Sequence, residues 1–130
     1  MSAPRVVVFS CQWSPHACFQ SLYRRGLRGE GDGGVRVVAA CVGRVGEDLA
    51  LEAFRQGAAG VWILGCPPEA CRHGLDRARF DARIGALRRI LGTLGIPAER
   101  LVVGSFEPHE AERLAEELGA FAASLAEAAP

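Results

Sequence analysis

Val61-Trp62-Ile63-Leu64-Gly65-Cys66 is a short, unbroken apolar run that ends on a thiol. A run of this length with β-branched and aromatic residues and no alternation reads as a strand buried on both faces, the habit of parallel sheets. Two earlier runs repeat the design, Arg5-Val-Val-Val-Phe-Ser-Cys11 and Val35-Arg-Val-Val-Ala-Ala-Cys41, each delivering a sulfur at its carboxyl end. A fourth strand is expected at Arg100-Leu-Val-Val-Gly104. Upstream of Val61, a helix from about Glu47 to Gln56 is closed by Gly57, a C-terminal cap. Downstream, after a loop carrying Cys71, Phe80, Ile84, Leu87, Leu91 and Leu94 recur at helical spacing and predict one buried face, with Arg79, Arg83, Arg88 and Arg89 largely on the other.

The remaining segments complete an alternation of strands and helices. Ser14-Pro15 predicts a helix start with serine as the cap, and the five glycines between Gly26 and Gly34 predict an exposed turn. Gly95-Ile-Pro97 ends the third helix, and Glu107-Pro108 is expected to open a last one with Leu114, Leu118, Phe121 and Leu125 on its buried face. Alternating strands and helices imply right-handed crossovers and a mostly parallel sheet. The expected fold is α/β: one flavodoxin-like or Rossmann-like domain over residues 1–130, with about four strands flanked by helices.

The 130 residues are 49% hydrophobic, enough for a packed core at this size. Fifteen basic residues, all arginine, balance fifteen acidic ones, so no net field favours nucleic acid or an anionic membrane. No window approaches the ~18 apolar residues of a membrane span. Residues Met1 to Arg5 carry no basic segment leading into a long apolar run, and a cytoplasmic location is expected. In that compartment five cysteines are better suited to metal or redox chemistry than to a disulfide framework.

Right-handed crossovers place the carboxyl ends of parallel strands on one edge, so Cys11, Cys41 and Cys66 share it, with Cys71 close behind. Four thiols on the edge where such sheets build sites point to a metal or iron–sulfur centre. Soft sulfur ligands suit both zinc and iron–sulfur clusters. Cys66-Pro-Pro-Glu-Ala-Cys71 has the C-x4-C spacing that opens plant-type [2Fe–2S] loops, without their following C-x2-C. Cys18, in the first turn of the first helix, is expected to pack; the alternatives are a substitute ligand or a thiol activated by the helix dipole.

The combination Cys11-Gln-Trp13, Cys41-Val-Gly43-Arg44-Val45, Ala53-Phe54-x-x-Gly57-Ala58-x-Gly60-Val61 and Gly65-Cys66-x-Pro68-x-x-Cys71 resembles the delta subunit of methyl-viologen-reducing hydrogenase, also described as the hydrogenase iron–sulfur subunit. The likeness runs from about Arg5 to His109 and is most specific from Ala53 to Cys71. It implies a small, non-catalytic electron-transfer subunit carrying one [2Fe–2S] cluster. Its implied partners are a hydrogenase or other dehydrogenase subunit and a heterodisulfide-reductase-like flavoprotein, in assemblies that often bifurcate electrons. Carried over by position, the ligands are Cys11, Cys41, Cys66 and Cys71. The chain departs from the family pattern at Ser10 and Ser14, where further cysteines are common, and at Pro67, where the family's first histidine is replaced while His73 appears nearby.

Trp13 and Arg44 flank two of these ligands and are candidates to shield the cluster and tune its potential; the alternative is packing for Trp13 and a surface ion pair for Arg44. Gly43 and Gly65 are candidates to bring backbone N–H groups close to sulfur, against ordinary turn chemistry. His73 is a candidate substitute ligand or a solvated loop residue, and the arginines of residues 79–89 are a candidate docking face or simply a solvated one. Two other functions compete. A structural four-cysteine zinc scaffold needs the same ligands but usually draws on C-x2-C knuckles, which are missing. A flavodoxin-like flavin or thiol enzyme needs a hydroxyl-rich phosphate loop or a C-x-x-C pair, and Ser10-Cys-Gln-Trp-Ser14 supplies only two hydroxyls.

Overall fold

The computed structural model describes residues 6–26, 35–39, 46–66 and 76–128. Four strands, β1 (Val6–Cys11), β2 (Val35–Ala39), β3 (Gly60–Gly65) and β4 (Leu101–Ser105), alternate with four helices, α1 (Ser14–Arg24), α2 (Glu47–Arg55), α3 (Arg77–Thr93) and α4 (Ala111–Ala128). All strand pairs are parallel and the sheet order is β2-β1-β3-β4. The expected α/β fold of about four strands is therefore the observed one. No described helix is long and apolar enough to cross a membrane.

The order carries a consequence for the site. From β1 the chain crosses outward to β2, then returns over β1 to β3 and continues to β4. Right-handed crossovers that run in opposite directions put their helices on opposite faces. Accordingly α2 and α3 pack on one face, through Ala50, Phe80, Ile84, Leu87 and Leu91 against Phe9, Val61, Ile63 and Leu101. On the other face α1 and α4, through Phe19, Leu22, Leu114 and Leu118, meet Val6, Val8, Trp62 and Leu64. The connection reverses between β1 and β3, and the crevice outside their carboxyl ends is the topological switch point, where open α/β sheets bind ligands.

Helix boundaries follow local chemistry, with three corrections. Gly57, at φ 103°, ends α2 as expected, because a left-handed residue after the last turn costs glycine nothing. Ser14 is not the cap of α1 but its first residue; Trp13 holds the cap position and no side chain caps the helix. Leu94 does not join the buried face of α3: it is the C-cap residue, past the last turn, and is 62% exposed. Helix α4 starts at Ala111 rather than at Glu107-Pro108. The Glu107 N–H donates to the Glu110 carboxylate at 2.9 Å and the Glu110 N–H to the Glu107 carbonyl at 3.0 Å, so residues 107–110 form a turn ahead of the helix. The glycine-rich turn expected after Gly26 lies outside the described residues.

Candidate metal centre

Two of the four thiols expected at the carboxyl edge fall within the described residues, and they meet. Cys11 is the last residue of β1 and Cys66 the first beyond β3. The register pairs Ser10 with Leu64, so the two neighbouring strands leave the sheet side by side at the switch point. Their Sγ atoms lie 3.6 Å apart. Neither is in a disulfide, and they are 3% and 8% exposed.

That separation is far beyond the about 2.05 Å of a disulfide. It suits a weak S–H···S contact, and it also suits chelation. Metal–thiolate bonds of about 2.3 Å at tetrahedral angles hold two sulfurs of one ion about 3.8 Å apart. The pair thus fits two ligand positions of a tetrahedral thiolate site with little movement. Among the described residues no third histidine, cysteine or carboxylate joins them.

The surroundings are apolar. Cys11 and Cys66 belong to the same buried cluster as Phe9, Ala50, Ile63 and Phe80, with half-buried Trp13 packed against it. Such a shell excludes water and lowers the local dielectric, one of the protein's levers on redox potential. Trp13 has a second side: with Gln12, His16, Gln20 and Pro108 it lines an open groove of about 330 Å³ at the start of α1. Of the candidate tuning residues, Trp13 therefore touches the thiol-bearing core, while Gly65 ends β3 opposite Ser105. Cys41, Gly43, Arg44, Cys71 and His73 lie outside the described residues.

Cys18 is elsewhere. Its side chain is fully buried in the cluster between the sheet and α1/α4, on the face opposite Cys11 and Cys66. Its thiol is pushed up from 9.0 to about 11, first by burial and then by the Glu110 carboxylate, against the weaker pull of the Glu110 backbone and Arg113. The shift runs opposite to activation by the helix dipole, and Cys18 sits packed in the apolar cluster, as expected. Among the arginines expected to face solvent, Arg88 instead ties α3 to β4, donating to the carbonyls of Ala98 at 3.2 Å and Leu101 at 3.1 Å.

One supporting residue was not singled out by the sequence. Arg113 lies over the Phe106 ring at 4.1 Å, pairs with Glu110 at 2.8 Å and Glu117 at 3.1 Å, and donates to the Ser105 carbonyl at 2.9 Å. These contacts fix the end of β4 next to the Pro108 wall of the groove. Glu110 is held below the ordinary carboxylate value by the Glu107 N–H and then by Arg113. The Glu110-x-x-Arg113-x-x-x-Glu117 spacing was a visible signal for the ion pairs. The stacking on Phe106 was not.

A family model described as "methyl-viologen-reducing hydrogenase, delta subunit" matches residues 6–128. The chain is 30% identical over 129 residues to an F420-non-reducing hydrogenase iron-sulfur subunit of Archaeoglobus profundus, covering 98% of this chain and 92% of that protein. It is 30% identical over 112 residues to the F420-non-reducing hydrogenase vhc iron-sulfur subunit of Methanococcus voltae, covering 85% and 76%. It is also 30% identical over 130 residues to one subunit of the ferredoxin/F420H2-dependent CoB-CoM heterodisulfide reductase of Methanosarcina acetivorans, where 98% of this chain spans only 16% of that protein.

Proposed function

Because this chain belongs to the methyl-viologen-reducing hydrogenase delta-subunit family, we propose that it is a cytoplasmic, non-catalytic electron-transfer subunit carrying one [2Fe–2S] cluster on Cys11, Cys41, Cys66 and Cys71. Its partners are a hydrogenase or other dehydrogenase subunit on one side and a heterodisulfide-reductase-like flavoprotein on the other. The single observation that carries this reading is the 3.6 Å approach of two buried cysteine sulfurs, outside any disulfide, at the switch point of the sheet. Two relatives named as hydrogenase iron-sulfur subunits support the cofactor, and the relative named for heterodisulfide reductase supports the second partner.

When bound, such a cluster accepts and donates single electrons. The chain's own residues do the rest. Cys11 and Cys66 supply thiolates from rigid strand ends, which costs little reorganisation. Phe9, Ile63 and Phe80 keep water from the sulfurs, while Trp13 covers the side that faces the groove. Gly65, directly before Cys66, is the described candidate to bring a backbone N–H to sulfur; the matching parts given to Gly43 and Arg44 fall on residues outside the described ones.

Anaerobic purification with metal and sulfide analysis tests the proposal. The expected protein is brown, with iron and sulfide in the [2Fe–2S] ratio and a reducible chromophore. Serine in place of any of the four cysteines removes most of the iron. A colourless protein holding stoichiometric zinc would overturn the relay in favour of a structural scaffold.

A further inference from the structure

The same pair of thiols has a second chemistry that needs no metal. We propose that Cys11 and Cys66 are a reversible disulfide site: in the metal-free chain a low-molecular-weight disulfide oxidises them to a Cys11–Cys66 bond, which closes the pair to metal. The inference shares its two residues with the proposed cluster site but does not depend on a cluster being formed.

Proximity comes first. The sulfurs need to approach by only about 1.6 Å, from 3.6 Å to a disulfide length. The two residues sit at the ends of neighbouring hydrogen-bonded strands, so the encounter is prepaid in the fold. Cys18 cannot compete within the fold, because the sheet separates it from the pair.

Exposure then gives the two thiols different parts. Cys66 is 8% exposed and Cys11 3%, so the small disulfide meets Cys66 first. The Cys66 thiolate attacks one sulfur of the reagent and breaks its S–S bond, leaving a mixed disulfide and releasing one small thiol that carries away the proton. The Cys11 thiolate then attacks the Cys66 sulfur, forming the internal bond and expelling the second small thiol. Two protein thiols are oxidised and one reagent disulfide is reduced to two thiols. An external thiol in excess reverses both steps. With both sulfurs in one bond, neither has a thiolate to offer a metal.

The test treats the reduced, metal-free full-length chain with cystamine, then alkylates the remaining thiols and maps the peptides by mass. The expected product has lost two hydrogens, with Cys11 joined to Cys66. Cys11→Ser should stop at a Cys66–cysteamine adduct. Cys66→Ser should leave Cys11 modified more slowly than Cys66 is in Cys11→Ser. The oxidised chain should fail to take up iron and sulfide until a thiol reductant is added. A main cross-link through Cys41 or Cys71, or no cross-link, overturns the inference, as does an oxidised chain that takes up as much iron as a reduced chain that loads it. If the internal bond forms but the reduced chain binds no iron, the disulfide site stands and the cluster reading falls. If the reduced chain loads a cluster and the bond never forms, the reverse holds.

Discussion

Cys11 and Cys18 lie seven positions apart in sequence, both are buried, and they lie on opposite faces of the sheet. Cys11 ends a strand at the switch point, where the crossovers diverge and the chain leaves a crevice. There a thiol finds Cys66 at 3.6 Å. Cys18 lies on α1 within a closed apolar cluster with Phe19, Leu22 and Leu114, where burial suppresses ionisation. Burial alone therefore does not separate the proposed ligand from the packed cysteine. The position of the sulfur relative to the strand ends does.

The sharpest way to break this contrast is to exchange the two kinds of cysteine for small residues that lose the thiol. Cys66→Ser is expected to remove essentially all bound iron while the metal-free fold persists. Cys18→Ala is expected to retain full iron and to cost about 1 kcal/mol in stability. Iron per chain and urea midpoints measure both. Loss of iron in Cys18→Ala would end the distinction.

A second test strikes the packed face alone. At Gly60, the first residue of β3, an added Cβ would collide with the Phe121 ring and come within 3.1 Å of Leu125 Cδ1. Gly60→Ala should cost about 1–3 kcal/mol as an overpacking substitution. Phe121→Leu in the same chain should return part of that loss, since contacting residues couple in a double-mutant cycle. Iron content should not move, as the clash lies at the amino end of the sheet. Additive effects would show that α4 adjusts more freely than its packing implies.

The unequal legibility of the two faces has physical reasons. Buried strands announce themselves by composition, so Val61 to Gly65 and the sulfur behind it were readable, as was the shared edge for Cys11 and Cys66. The strand order was not, because propensity specifies each crossover but not the edge to which it returns. The burial of Cys18 had a signal: with Pro15, Phe19 and Leu22 it completes one helical stripe. Leu94 had the right spacing and the wrong place, since spacing does not reveal where a helix stops. The start of α4 misled because Glu107-Pro108 looks like a helix opening, whereas the Glu110 side chain closes a separate turn there.

The ionisation of Cys18 sharpens the comparison further. A folded thiol raised from 9.0 to about 11 binds its proton more tightly than the unfolded one. Its contribution is fully present below pH 9.0 and is lost as pH rises toward about 11. Compared with Cys18→Ala, the unaltered chain should therefore lose on the order of 1–2 kcal/mol across that window. Urea unfolding of both chains at the two ends of the window measures the difference. Parallel pH profiles would mean that the thiol is not held neutral by its surroundings.

The smallest effect concerns Trp62, at the centre of the packed face. Its ring lies 5.4 Å from Phe121, edge to face, and 6.5 Å from Phe106, stacked. Its indole N–H is buried with no hydrogen-bond partner among the described residues. An orphaned donor of this kind costs about 1–3 kcal/mol. Trp62→Phe removes that penalty and, by shrinking the ring, forfeits packing of similar size. The two should nearly cancel, leaving stability within about 1 kcal/mol of the unaltered chain. A core tryptophan with a satisfied N–H would lose clearly more. A large loss in Trp62→Phe would therefore mean that the indole has a partner in solution, and that this face is less dry than the one that holds the thiol pair.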